Sequence, residues 1–175
     1  MSTESTSHVP PNKAMELATN VFDVWAFQAS SEGPQFLLMY TSAQKADRYF
    51  NGGRFWQIPS GTVQAGETIT AAVERLLAQY GLSAKSIWAG EHAYIIYNRR
   101  FDEMQLIGVY AAEVSEAPVR LNPVEHSECG WFPYGACLDR VHYRGLKDGI
   151  RSVHEYVTGC TLPARELCLY ESGRT

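Results

Sequence analysis

The stretch from Phe55 to Leu82 constrains this chain more than any other. Phe55-Trp56-Gln57-Ile58 has the aromatic and apolar character of a short strand, and Pro59-Ser60-Gly61 closes it with turn chemistry. From Thr68 to Gln79 the apolar residues fall at Ile69, Ala72, Val73, Leu76, Leu77 and, just beyond, Tyr80. That is the i, i+3, i+4, i+7 spacing of an amphipathic helix. Gly81 serves as its stop.

The flanking segments supply strands on both sides of this helix. Val21 to Phe27 is apolar and β-rich, Ser30-Ser31-Glu32-Gly33-Pro34 is a turn, and Phe36 to Tyr40 follows, so the two runs predict a hairpin. Ser42 to Arg54 reads as a polar loop carrying Arg48, Tyr49, Phe50 and Asn51-Gly52-Gly53. Ile87 to Tyr97 and Met104 to Val114 predict a second antiparallel pair around Asn98-Arg99-Arg100-Phe101-Asp102. Leu121 to Ser127 is a loop, and Gly130-Trp131-Phe132 a short strand. Gly145 to Val157 places Leu146, Ile150, Val153 and Val157 on one face of a second helix. The order predicts an α+β layered domain. Residues 1–18, rich in Ser, Thr, Pro and charge, read as a disordered arm, 19–158 as the domain, and 159–175 as a tail. Within the tail, Glu166 to Tyr170 has the character of an edge strand or of a segment that packs in trans.

Charge narrows the partners. The net charge is −4 and the sequence pI near 5.7, so long-range attraction to a nucleic-acid polymer is weak. A local cationic pocket for one small phosphate ligand is still compatible with this balance. Cys129, Cys137, Cys160 and Cys168 form no C-x-x-C pair and read as free thiols. No apolar run is long enough to span a bilayer, and residues 1–18 lack a signal-peptide core. The expected location is the cytoplasm, with no membrane partner.

The segment from Gly61 to Leu82 resembles the Nudix box, G-x5-E-x7-R-E-U-x-E-E-x-G-U with U aliphatic. Gly61 and Glu67 have its spacing, Gly66 precedes Glu67, and the helix ends in Gly81-Leu82. Two registers are open. Without a gap, Arg75 falls on the box arginine, and Leu76, Gln79 and Tyr80 replace its three glutamates. With one residue deleted before Ala71, Gly81-Leu82 matches the ending, Glu74 replaces the arginine, Arg75 the first glutamate, and Ala78-Gln79 the last pair. Neither restores the carboxylates that gather hard oxygen ligands around magnesium. Val124-Glu125-His126-Ser127-Glu128-Cys129-Gly130-Trp131 is similar to a second family segment, E-H-x-E-x-x-W, which often supplies a base or further metal ligand.

The resemblance implies a Nudix-type α/β/α sandwich with a mixed sheet, spanning roughly Asn20 to Val157. It implies a hydrolase of nucleoside diphosphate-linked compounds, dependent on Mg²⁺ or Mn²⁺, with homodimers common. The missing carboxylates imply weak or relocated activity, or a non-catalytic module that binds a nucleotide or a partner. Candidate metal ligands are Glu67, the Ser60 backbone carbonyl and Gln79, and candidate bases are Glu125 and Glu128. Arg48, Arg54 and Arg99, with Arg100 beside it, are candidate phosphate contacts, and Trp56 and Tyr49 candidate stacking platforms. Glu67 also suits a scaffold role at the helix N-terminus. Glu74 and Arg75, adjacent on a helix, read as solvated charges. His126 is expected to shape its loop. Glu91 and His92 are expected on opposite faces of one strand.

Overall fold

Strand β1 (Leu17–Gln28) runs through the middle of one eight-stranded sheet; the computed structural model describes residues 15–173. It turns into β2 (Gln35–Thr41), but the two pair only at Phe27–Phe36 and Gln28–Gln35. Beyond that point they part. The chain returns between them, with β3 (Trp56–Gln57) on β2 and β4 (Ser60–Thr62) on β1. On its other side β1 is parallel to β6 (Glu103–Val114), which is antiparallel to β5 (Ala84–Asn98). β8 (Cys168–Glu171) pairs with β5, and β7 (His126–Pro133) with β2, both antiparallel.

Both faces of this mixed sheet are covered. Phe22, Val24 and Ala26 alternate with Trp25 and Phe27 along β1, so the strand feeds two cores. A run apolar on both faces is what a sandwiched strand requires. On one side α2 (Ile69–Gln79) presses Ala72, Val73, Leu76 and Leu77 against Phe22, Val24, Leu37 and Met39. On the other, α4 (Arg144–Val153) packs Leu146, Ile150 and Val153 with Trp25, Phe36, Leu38 and Val109, and α3 (Tyr134–Arg140) contributes Cys137. The architecture is the α/β/α sandwich that the sequence predicts.

Several local expectations change. The predicted polar loop from Ser42 to Arg54 contains a helix, α1 (Ala43–Tyr49). Ser42 caps it, its Oγ accepting from the Lys45 backbone N–H at 3.0 Å and donating to the Val124 carbonyl at 2.5 Å. The expected disordered arm ends earlier than residue 18, because Leu17 and Ala18 already pair with Met104 and Gln105 of β6. Residues 1–14 lie outside the described residues. Glu91 does not continue a simple alternation with His92: its φ is +49°, in the left-handed region, and the β5–β6 register shifts between Ala89 and Ala93. A bulge of this kind breaks the two-residue period. α3 follows β7 without having shown in the sequence pattern. Gly81 has φ +74°, and ends α2 in the left-handed conformation that glycine adopts without steric cost.

Candidate functional site

Thr68 caps α2 by accepting from the Ala71 N–H, and the loop before it is tied to the helix by charge. Arg75 Nε donates to Glu67 Oε1 at 2.7 Å and Nη2 to Oε2 at 2.8 Å. Nη2 also reaches the Thr62 carbonyl, and the Gln64 N–H donates to the same Glu67 carboxylate. Bonding to Arg75, with help from Gln64, holds the Glu67 carboxyl down at about 2. Both oxygens of Glu67 are therefore engaged in bracing the loop. Arg75 is not the solvated charge expected from its place beside Glu74. Its bond to Glu67, eight residues before it, favours the ungapped register.

That register assigns the three glutamate places to Leu76, Gln79 and Tyr80. Leu76 is buried, and a Cβ placed on Gly61 would meet the Leu76 methyls at 3.5 Å and the Phe22 ring at 3.2 Å. The glycine thus admits β4 beneath the helix, where a leucine fills the space. Gln79 is exposed. The Tyr80 ring leans on the His126 ring, with centroids 6.5 Å apart, and burial pushes its hydroxyl up to about 12.

Beside His126 lies a cluster of polar side chains. Lys45 Nζ sits 2.7 Å from Glu125 Oε2 and 3.2 Å from Gln57 Oε1. Arg100, from the β5–β6 turn, approaches the same Glu125 oxygen at 3.6 Å and lies 4.5 Å over the Tyr49 ring. Burial works to raise the Glu125 carboxyl, but Lys45 and then Arg100 outweigh it and leave it below the usual range. Burial, reinforced by Lys45, lowers His126 to about 4, so its ring is neutral at pH 7. Its Nδ1 is buried without a hydrogen-bond partner.

Arg54 borders this group. Its Nε donates to the Thr41 carbonyl at 2.8 Å, Nη2 to Ser127 Oγ at 2.6 Å, and its guanidinium covers the Tyr40 ring at 4.6 Å. Trp56 is half-buried between Tyr40 and Phe132. Arg48 is exposed, 5.2 Å over Tyr49. Arg99 is exposed at the far turn, and Glu128 is exposed on β7 opposite Tyr40. Ser60 stands in β4 opposite Asp23, to which its Oγ donates at 2.5 Å; Tyr94 donates to the other Asp23 oxygen. Burial raises the Asp23 carboxyl against the pull of both bonds.

The structure therefore brings Arg54, Trp56 and Glu125 to one region and sets Glu67 apart in its own ion pair. Lys45 and Gln57 join that region without having been singled out in the sequence, and so does Tyr80, which was read there only as a helix-face residue at a glutamate place. Lys45 was hidden in the segment read as loop, and only a helix brings it back towards Gln57. Magnesium needs several hard anionic oxygens at one point. Among the described residues no three of His, Cys, Asp and Glu gather in a way that would hold a metal. Glu125, the carboxylate whose charge acts on Tyr80, already faces an ammonium. This donor set does not fit the divalent ion that the box otherwise implies.

The family model described as NUDIX domain matches residues 19–151. The chain belongs to the Nudix family. A search of curated proteins returns no match. Among solved structures, the Nudix chain is similar to a MutT protein from Methanosarcina mazei, with 20% identity, 81% of this chain and 98% of that chain covered, and a TM-score of 0.62. It is similar to the NUDIX domain of Shewanella oneidensis NrtR complexed with ADP ribose, at 20% identity, 82% and 89% coverage, and TM-score 0.59. A Caenorhabditis elegans Ap4A hydrolase is similar at 15% identity, 79% and 96% coverage, and TM-score 0.58. At these identities the likeness concerns the Nudix fold. No helix among the described residues is long and apolar enough to cross a membrane.

Proposed function

We propose that this Nudix chain binds a nucleoside diphosphate derivative as a non-catalytic module and holds its phosphates without a divalent metal. The observation that carries this reading is the Glu67–Arg75 ion pair. It engages both oxygens of the surviving box carboxylate, and it favours the register in which Leu76, Gln79 and Tyr80 stand at the glutamate places. Positive charge is instead supplied by side chains: Lys45, Arg54 and Arg100 lie on one rim. Guanidinium and ammonium groups bind phosphate oxygens directly, the former through paired bonds. Tyr49, Tyr40 and Trp56 offer ring faces beside them for a base. The ADP ribose held by the NrtR relative supports a ligand of this class.

The test is calorimetric titration of the full chain with ADP-ribose, once with excess chelator and once with Mg²⁺, while product is followed chromatographically. Equal affinity in both and no product are expected. Lys45→Met should weaken binding about tenfold, the order expected for one charge-assisted hydrogen bond. The competing reading is a weak hydrolase whose base comes from the Glu125–Glu128 loop, and it draws on Glu125 remaining ionised beside Lys45. Mg²⁺-dependent product that vanishes in Glu125→Gln or Glu128→Gln would establish that reading instead.

A further inference from the structure

Glu125 stands between two of the cations that the candidate site offers to phosphate. Its Oε2 lies 2.7 Å from Lys45 Nζ and 3.6 Å from Arg100 Nη1. The Lys45 side chain is only 11% exposed, so salt and water screen this charge less than they would at an open surface. The position of Glu125 is held from both sides of its backbone. The Ser42 N–H donates to the Glu125 carbonyl at 3.0 Å, the Glu125 N–H to the Asn122 carbonyl at 3.0 Å, and Ser42 Oγ to the carbonyl of Val124. Lys45, itself bonded to Gln57 Oε1 at 3.2 Å, holds the carboxylate end. Glu128, exposed on β7, forms no ion pair with either cation among the described residues.

A phosphate that reaches Lys45 or Arg100 therefore meets a fixed negative charge beside them. Like charges brought together in a partly desolvated site cost affinity. How large that cost is depends on how the diphosphate ends. Where both phosphates are esterified, each carries one negative charge. A terminal phosphate carries most of a second charge at neutral pH, because its second ionisation lies at about 6. That extra charge is the one Glu125 opposes, and it is also the one for which Lys45 and Arg100, already shared with a carboxylate, have least to spare.

We propose that Glu125 selects among nucleoside diphosphate derivatives, favouring a diphosphate esterified at both ends over one that ends in a free phosphate. The proposal rests on the nucleotide-binding reading above and adds the residue that sets the charge of the ligand. It gives Glu125 a role that needs neither a metal nor a proton transfer.

Calorimetric titration of the full chain with ADP and with the β-methyl ester of ADP, in excess chelator, tests it. The two ligands share base, sugar and both phosphates and differ in the terminal charge. The ester should bind about tenfold tighter. Glu125→Gln should tighten ADP and bring the two ligands to within about twofold of each other. Glu113→Gln, which removes the same charge beside Lys85 at the end of β6 away from Arg100, should leave the tenfold ratio intact. The wild-type chain gives a second readout that does not depend on how well the Glu125 variant folds: raising salt should shrink its preference for the ester. ADP bound as tightly as the ester overturns the proposal. So does a preference indifferent to salt and to Glu125→Gln, which would assign the selection to the methyl group. Either result leaves the nucleotide-binding reading standing, because both ligands bind. If neither ligand binds, nor ADP-ribose, that reading falls and the proposal with it.

Discussion

Single residues decide what remains of the box. In the ungapped register Leu76 takes a glutamate place of the box, and it is only 4% exposed against Phe22 and Gly61. Leu76→Ala should cost about 3 kcal/mol in denaturant unfolding, the usual range for a buried leucine whose cavity cannot fully collapse. Two ionisable groups set the pH response. Glu67 is held at about 2 from an ordinary 4.5, so its contribution is complete above 4.5 and is lost as pH falls through 2. His126 is lowered from 6.5 to about 4, so the unfolded chain takes up its proton first. Stability should therefore begin to fall below pH 6.5 and continue falling towards 4. The His126 Cε1–H resonance should stay at its neutral position at pH 5; a midpoint near 6.5 would show that the ring is not desolvated. Gly61, Glu67 and Arg75 were all visible in the sequence, but their roles were not. Two registers competed because spacing alone cannot say which arginine-sized side chain reaches back across eight residues. The ion pair is a three-dimensional fact about how the loop folds onto its helix.

At the level of elements, long periodic segments were legible and short ones were not. α2 was read to within a residue because its apolar face repeats through three turns and is bounded by Thr68 and Gly81. α1 offers only Ala46 as a buried residue, so no periodic stripe announces it. Its signal was Ser42, a capping residue that the surrounding polarity concealed. This small helix carries Lys45 into the candidate site, which is why that cation escaped notice. Ser42 also joins α1 to the loop before β7 through Val124. Ser42→Ala should therefore cost about 1–2 kcal/mol, as loss of a helix cap does, and should weaken ADP-ribose binding as well, measured by the same calorimetry. A variant that loses stability while keeping full affinity would separate α1 from the site. The break in β5 alternation was equally hidden, because a bulge at Glu91 leaves no mark in a strand-like composition.

Across the whole molecule, two cores share the central strands. Trp25 and Phe27 belong to one, Phe22, Val24 and Ala26 to the other, so β1 cannot loosen without opening both. Hydrogen exchange should accordingly be slowest in the β1 and β6 amides and fastest, among the regular elements, in α1 and β8. Fast exchange in β1 would mean that the two cores open separately. The sandwich was legible from the doubly apolar strand and the two amphipathic helices, whereas the position of β3 and β4, wedged where β1 and β2 diverge, depends on contacts that no local pattern encodes.

The parallel contact of β1 with β6 has a consequence for how the chain matures. Val21 must find Ile107, and everything between them, including α2 and the rim bearing Lys45, is synthesised first. Closing so large a loop delays pairing. As the protein emerges from the ribosome, β1 therefore waits with one side unsatisfied until β6 is free of the exit tunnel. A nascent chain stalled before β6 should be open to proteases, and one released beyond it should be resistant.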